Sequence, residues 1–357
     1  MRDLFDIRSS SGSHPIRLTD QSLADLVATC DGNVVIADAF FRERLEGCAK
    51  TVLFVEAVEE SKDLVAIAPL VEQLRKAGLT RDGAILAVGG GVIQDIACFI
   101  ASVYMRGVRW TYLPTTLLAM VDSCIGGKSS INIGDFKNLL GTFYPPEAIV
   151  IAPHVVKTLP TEHLAAGRSE AVKICYAHSE DVFRDYLALE ETTGERDAGP
   201  LIALSLSAKK WFVEVDEFDR NERLLLNFGH SFGHALESCT AYAVPHGVAV
   251  GVGCLAAIEM SMERVRTLVY HPLVPILRKQ LFDILASVDA LDKALAAVGR
   301  DDFFRYWDSD KKHGPDNYRP ILLGSNARLV RAMLQRGPES RDAIWTGFER
   351  ARESLVV

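Results

Sequence analysis

A chain of 357 residues with 48% apolar and 24% charged side chains has the makeup of a globular enzyme, which excludes a disordered or fibrous protein and leaves room for two substantial cores. A formal charge of −8 argues against nucleic acid or an anionic membrane as partner. No apolar run reaches the roughly 18 residues needed to cross a bilayer, and the opening MRDLFDIRSSSG lacks the apolar core of a secretory signal, so a cytoplasmic protein is expected.

From residue 1 to about 155, apolar strand-like runs alternate with amphipathic stretches. NVVIADA (33–39), TVLFVEA (51–57) and GAILAVGG (83–90) read as buried parallel strands, with the helical spacing of SKDLVAIAPLVEQLRKAG between the last two. WTYLPTT (110–116) adds a strand. Beyond about 155, helical patterns take over: HLAAGRSEAVKICYA, DVFRDYLALEETT, LIALSLSAKKWFVEVDE, SFGHALESC and GVAVGVGCLAAIEMSMERV. The expected fold class is α/β, with an open Rossmann-like α/β domain over 1–155 followed by a mostly helical domain over 156–357. The active site is expected in the cleft between them. The seven cysteines are scattered, odd in number and without C-x-x-C spacing, as expected of inert thiols in a reducing compartment.

Three segments carry chemistry. AVGGGVIQDIACFIASVY (87–104) reads as a strand, a triple glycine and a helix. Glycines let backbone amides approach an anion, and the helix N-terminus adds partial positive charge, so a pyrophosphate would fit; a tight turn without a ligand accounts equally well for the same glycines. An acidic partner for adenosine ribose hydroxyls could come from Asp38 or Glu59. In NFGHSFGHALESCTAYAVPH, His230 and His234 share one helix face, His246 can return from the following turn, and Glu170 in GRSEAVK offers a carboxylate as a further metal ligand. Arg106, Lys128, Lys137, Lys173, Lys209, Lys210, Arg223, Lys311 and Lys312 recur in the glycine- and histidine-bearing segments, as expected of an acidic protein that binds a small anion.

GGGVIQD, YMRGVRWTYLPTTLLAMVDSCIGGKSSIN, KNLLGTFYPP, SEAVK, RLLLNFGHSFGHALE, PHGVAVG and SDKKHG, in this order from about 55 to 325, resemble the dehydroquinate synthase family of sugar phosphate cyclases. The resemblance implies NAD in the first domain and Zn²⁺, with Co²⁺ as an alternative, in the second. Glu170, His230 and His246 fall on the family's metal-ligand positions, which leaves His234 to face substrate phosphate. Gly90, Gly91, Val92, Asp95, Thr115, Thr116 and Thr158 fall on the NAD side, with Glu59 and Lys62 towards the adenosine. Asp122, Lys128 and Lys137 match the nicotinamide end and the reacting carbons. Asn138, Asn227, His234 and one of Lys311 or Lys312 match phosphate contacts, and Lys173, Lys209 and Arg223 match contacts with substrate hydroxyls and carboxylate. Arg106 matches an arginine lent across a homodimer.

The implied reaction converts 3-deoxy-arabino-heptulosonate 7-phosphate to 3-dehydroquinate and phosphate, by transient oxidation, phosphate elimination, reduction and aldol closure. Arg223 favours this carboxylated substrate, since a guanidinium gives a flat two-pronged match to a carboxylate. Departures from the family pattern are Gln94, read as a helix cap, Ser129 and Ser130 beside Lys128, Arg168 and Ser169 before Glu170, and His313 after the lysine pair. They keep open a cyclase of secondary metabolism, making an amino-dehydroquinate, valiolone-type or deoxyinosose-type product. A metal-dependent polyol dehydrogenase shares the expected architecture, and a scaffold without catalysis is the remaining alternative.

Overall fold

The computed structural model describes residues 1–134, 136–192 and 197–356. Its contacts divide the chain into two units, Met1–Leu159 with Thr192–Phe218, and Pro160–Glu191 with Asp219–Val357. The boundary expected near 155 therefore differs in one segment: the helix after residue 198 returns to the first unit.

The first unit is built on a seven-stranded sheet. A hairpin of β1 (Arg2–Ser9) and β2 (Gly12–Leu18) is followed by helix α1 (Leu23–Thr29), β3 (Val34–Asp38), a single turn α2 (Arg42–Leu45), β4 (Thr51–Val55), α3 (Leu64–Lys76), β5 (Ala84–Gly89), α4 (Gly91–Val103) and β6 (Arg109–Pro114). A small separate hairpin, β7 (Ile131–Ile133) with β8 (Phe136–Leu140), precedes β9 (Ala148–Ile151). The order is β1-β2-β9-β6-β5-β3-β4, parallel except for β1 against β2. Every residue of β5 is buried, as its unbroken AILAVG run requires of a strand covered on both faces. The β1–β2 hairpin was absent from the expectation because its strands are largely exposed and lack a clean alternation, with Ile7 alone buried in β1.

The second unit contains α5 (Thr161–His178) and α6 (Glu180–Thr192); α7 (Gly199–Val215) belongs to the first, where it packs on β1 and on a π-helical turn over Ala119–Ser123. Helices α8 (His230–Cys239), α9 (His246–Arg264), α10 (Leu273–Leu285), α11 (Leu291–Ala296), α12 (Arg300–Trp307) and α13 (Pro338–Leu355) complete the second unit. Strand pairs Asn317–Tyr318 with Leu334–Gln335 and Ile321–Leu323 with Leu329–Arg331, too short to show in a sequence pattern, lie between α12 and α13.

Helix α9 organises this unit. It is buried without interruption from Gly247 to Ser261, with α5, α8, α10 and α13 packed around it. Its small residues set the distances: a Cβ on Gly247 would lie 2.2 Å from the Ala166 carbonyl oxygen of α5, and one on Gly253 2.1 Å from the carbonyl oxygen of Gly229 before α8. Backbones this close bring Glu170, one turn beyond Ala166, and His230, at the head of α8, to the head of α9, where His246 stands. Among the described residues no helix is long and apolar enough to cross a membrane.

Candidate metal centre and anion loop

His246 is the first residue of α9 rather than part of a loop. Its Nε2 lies 3.8 Å from Glu170 Oε1, and His230 Nε2 lies 3.9 Å from the same oxygen. One ligand atom from each of the three residues falls within 4.8 Å of the others. A tetrahedral zinc site with bonds of about 2.0–2.1 Å has edges near 3.4 Å, so a cation would draw these atoms in by a few tenths of an ångström. The side chain of Glu170 is 1% exposed and neither of its oxygens has a hydrogen-bond partner, while the Lys173 ammonium lies against Oε2. With Lys173 on Oε2, the other oxygen, Oε1, is left buried and facing two imidazole nitrogens, and a cation there would satisfy it.

The two imidazoles are oriented differently. His230 Nδ1 is 3.3 Å from the carbonyl oxygen of Phe228, which can only accept, so Nδ1 carries the hydrogen and Nε2 the lone pair. Burial, then Lys173 and the neighbouring histidines, hold His230 well below the usual histidine range, in the neutral form that a ligand needs. His246 Nδ1 is 3.1 Å from Glu237 Oε2. Burial alone would lower its pKa, but Glu237 and then Glu170 outweigh it and lift His246 to about 9. A bound cation would displace the proton from Nε2.

His234, the other member of the helical pair, does not join the Glu170, His230 and His246 group. Its Nδ1 is 3.3 Å from Lys312 Nζ and 3.8 Å from Asp310 Oδ2, and Lys312 Nζ is 3.4 Å from the same carboxylate. Burial raises Asp310, but His234 and Lys312 overcome it and hold the group well below the usual carboxylate range. Lys311 is exposed, so it is Lys312 that joins His234. Arg223 is buried, and Asn227 donates from Nδ2 to the Leu224 carbonyl at 3.1 Å.

In the first unit, Gly89 ends β5 and Gly90 caps α4. A Cβ on Gly90 would lie 2.7 Å from Thr116 Cγ2, whereas one on Gly91 would meet nothing within 4 Å, so the approach to the start of α4 is open there. Val92 is half-buried in the first turn. Thr115 donates its N–H to the Gly89 carbonyl at 3.0 Å, and Thr116 Oγ1 accepts the Ala119 N–H at 3.2 Å, which ties the β6 turn to the glycine turn. Gln94 does not cap the helix. Its side chain is buried, with Nε2 donating to the Ser123 carbonyl at 2.8 Å and Oε1 accepting from Ser123 Oγ at 2.7 Å.

Beside this turn, Lys62 Nζ lies 2.9 Å from Asp95 Oδ2, 3.5 Å from Glu59 Oε1 and 3.3 Å from Asn138 Oδ1. Burial raises Asp95 to about 6 in spite of Lys62. Glu59 also accepts from Asn132 Nδ2 at 2.8 Å and has Lys137 Nζ at 3.9 Å. Asn138, at φ +53°, accepts from Ser130 Oγ at 2.6 Å. Asp122 and Lys209 meet at 2.9 Å, where α7 covers the π-helical turn. Lys128 Nζ stands 5.9 Å from the Phe143 ring centre. Asp38 accepts the Phe40 N–H at 3.0 Å, and Thr158 Oγ1 donates to the Val155 carbonyl at 2.8 Å; both contacts are local. Lys210 donates to the Asp6 carbonyl of β1 at 2.7 Å, which places it with the sheet edge. Arg106 is exposed on a turn where Met105, Arg106 and Gly107 all have positive φ, at 49°, 70° and 117°.

Glu237, Asp310, Asn132 and the Ser130 to Asn138 bond were missed from the sequence. The available signal for Glu237 was its helical spacing, seven residues after His230 and three after His234.

Residues 52–166 match the family described as 3-dehydroquinate synthase N-terminal, and residues 167–312 the one described as 3-dehydroquinate synthase C-terminal. The chain belongs to the 3-dehydroquinate synthase family. It is 39% identical over 242 residues to a 3-dehydroquinate synthase of Latilactobacillus sakei subsp. sakei strain 23K, covering 64% of this chain and 68% of that one. It is 41% identical over 228 residues to that of Dictyoglomus thermophilum, covering 62% and 63%. In fold it is similar to 2-deoxy-scyllo-inosose synthase complexed with carbaglucose-6-phosphate, NAD⁺ and Co²⁺, at TM-score 0.78 and 23% identity over 98% of this chain and 99% of that one. It is also similar to ValA, 2-epi-5-epi-valiolone synthase, from Streptomyces hygroscopicus subsp. jinggangensis 5008 with NAD⁺ and Zn²⁺ bound, at TM-score 0.77 and 21% identity, covering 97% and 98%.

Proposed function

We propose that this member of the 3-dehydroquinate synthase family is a phosphate-eliminating cyclase. It takes 3-deoxy-arabino-heptulosonate 7-phosphate to 3-dehydroquinate and phosphate, with NAD and one divalent ion, zinc or cobalt. The observation that carries this reading is Glu170 Oε1, buried, without a hydrogen-bond partner, and facing Nε2 of both His230 and His246. These three residues would hold the ion. Gly90, Gly91, Val92, Thr115 and Thr116 would cradle the pyrophosphate of NAD, with Asp95, Lys62 and Glu59 on the ribose and adenosine side and Thr158 near the cofactor. When bound, the ion would polarise substrate hydroxyls, and NAD would take up and return a hydride.

The chain's own residues supply the rest. Arg223 would grip the substrate carboxylate with two parallel N–H groups. Lys312, backed by Asp310, would set a point charge against phosphate, with His234, Asn227 and Asn138 as further phosphate contacts. Lys173 and Lys209 would hold hydroxyls or carboxylate, and Asp122, Lys128 and Lys137 would lie at the nicotinamide end. Arg106 would reach the phosphate of the other chain in a homodimer. The carbon next to the oxidised one loses its acidified proton while phosphate leaves the carbon beyond it, forming a C=C bond between these two carbons, and the departing phosphate takes up that proton.

A phosphate-release assay across several seven-carbon sugar phosphates, with NAD at catalytic amounts and added zinc or cobalt, tests this. The expected result is turnover of the carboxylated heptulosonate phosphate to a carbocycle of 3-dehydroquinate mass without net NADH. Turnover confined to uncarboxylated sugars would move the substrate to a valiolone- or deoxyinosose-type cyclase, and steady NADH from a polyol would overturn the cyclase reading.

A further inference from the structure

We infer that Glu237 is a positioning residue for the metal centre: its carboxylate accepts the Nδ1–H of His246 and thereby fixes Nε2 as the atom turned to Glu170. The inference rests on the assignment of Glu170, His230 and His246 as ligands. Three observations support it.

The first is the local fold. Glu237 sits on the same stripe of α8 as His230 and His234, and the chain leaves that helix in a tight reversal, with Ala241 at φ +47° and Tyr242 at φ +63°. The Glu237 carbonyl accepts the Tyr242 N–H at 2.8 Å and the Thr240 hydroxyl at 3.2 Å, while its side chain reaches His246 at 3.1 Å. One residue thus ties down both the loop that delivers His246 and the ring itself.

The second is that this ring needs a hold. The His246 side chain is 39% exposed, against 15% for His230, and rotation about its Cβ–Cγ bond would replace Nδ1 by a carbon. His230 is oriented by a backbone carbonyl; His246 has a carboxylate, which both fixes the tautomer and makes the imidazole a better donor.

The third is charge. The Lys173 ammonium lies against Glu170 and offsets the only anionic ligand of the three, and Glu237 restores negative charge next to the centre. His234, Glu237 and His246 could in principle hold an ion of their own, their ligand atoms lying within 4.8 Å of one another. Lys312, with Nζ 3.3 Å from His234 Nδ1, already places a cation there.

The test is metal affinity, independent of turnover. The full-length chain is stripped with a chelator and titrated with Zn²⁺, and with Co²⁺ followed by its visible spectrum, in competition with a chromophoric chelator. Glu237→Ala is expected to bind one ion about 10- to 100-fold more weakly than wild type. Glu237→Gln, which keeps an oxygen to accept the Nδ1–H, is expected to recover most of that loss, as mere damage to α8 would not allow. Affinity of Glu237→Ala within about twofold of wild type would overturn the inference. So would two ions per wild-type chain falling to one in Glu237→Ala, which would make Glu237 a ligand. A wild-type chain that takes up no ion would overturn the ligand assignment and this inference together, whereas wild-type binding with an unaffected variant overturns only the role of Glu237.

Discussion

Arg223 is 4% exposed in the second unit, and a guanidinium taken this far from water is of most use where a carboxylate meets it. Arg223→Ala is expected to cost the carboxylated heptulosonate phosphate about 2–5 kcal/mol in transition-state stabilisation, a loss of about thirtyfold or more in kcat/KM, and to leave an uncarboxylated sugar phosphate nearly unaffected. Equal losses on both substrates would remove Arg223 from the carboxylate. His313 works in the opposite sense, as a titratable group best kept neutral. Its ring lies 5.2 Å from Trp307 and 5.2 Å from Tyr318, its Nδ1 accepts the Arg319 N–H, and burial pushes its pKa from 6.5 to about 4. Between those values the unfolded chain binds the proton and the folded one does not. Its contribution is therefore complete above 6.5 and is lost as pH falls towards 4. Denaturant melts of wild type and His313→Phe across that range should show the smaller acid-side loss in the variant. At this scale the residues legible in the sequence were those inside motifs of the family, such as Glu170 in SEAVK and His246 in PHGVAVG, which the fold brings together with His230. Glu237 and Asp310 act through another residue: the spacing of Glu237 from His230 and His234 put it on their helix face without showing that its carboxylate reaches His246, and Asp310 had no comparable signal.

The elements owe their positions to close backbone approach. With the Gly229 carbonyl oxygen 2.1 Å from where a Gly253 Cβ would stand, α8 and α9 cannot keep their separation if that glycine gains a side chain. Gly253→Ala is expected to destabilise the second unit by about 1–3 kcal/mol, read as a fall in Tm, and to weaken metal binding by displacing His230 relative to His246. In the anion loop the same logic separates neighbours. Gly90→Ala, with its Cβ 2.7 Å from Thr116, should impair NAD binding, measurable by calorimetry, whereas Gly91→Ala meets nothing within 4 Å and should be mild. Equal effects would mean that the Thr116 contact does not shape the loop. The parallel strands were legible because burial on both faces demands unbroken apolar runs; the β1–β2 hairpin buries too little to leave such a mark, and the strands between α12 and α13, though Ile321–Leu323 is buried throughout, are only two or three residues long.

For the whole molecule, the proposed homodimer makes a prediction that no single variant can give. If Arg106 serves the other chain's phosphate, Arg106→Ala and His230→Ala should each abolish activity alone, and the two mixed and allowed to exchange should regain about a quarter of wild-type activity, from the one intact site in each mixed dimer. No recovery, with exchange confirmed by mass, would keep Arg106 within its own chain or out of the site. The unit boundaries were the least legible feature, because α7 has an ordinary helical pattern and its partner is chosen by Ser205 and Lys209. These reach the Val121 carbonyl and Asp122 from 84 and 87 residues away.

That return of α7 bears on how the protein is made. On the ribosome the strands of the sheet emerge first, yet the clasp over Ala119–Ser123 is not synthesised until α5 and α6 have already appeared, an interval of several seconds at about 5–20 residues per second. The nascent sheet must wait with Asp122 lacking its lysine, exposed to chaperones and proteases, until residue 209 arrives to close it.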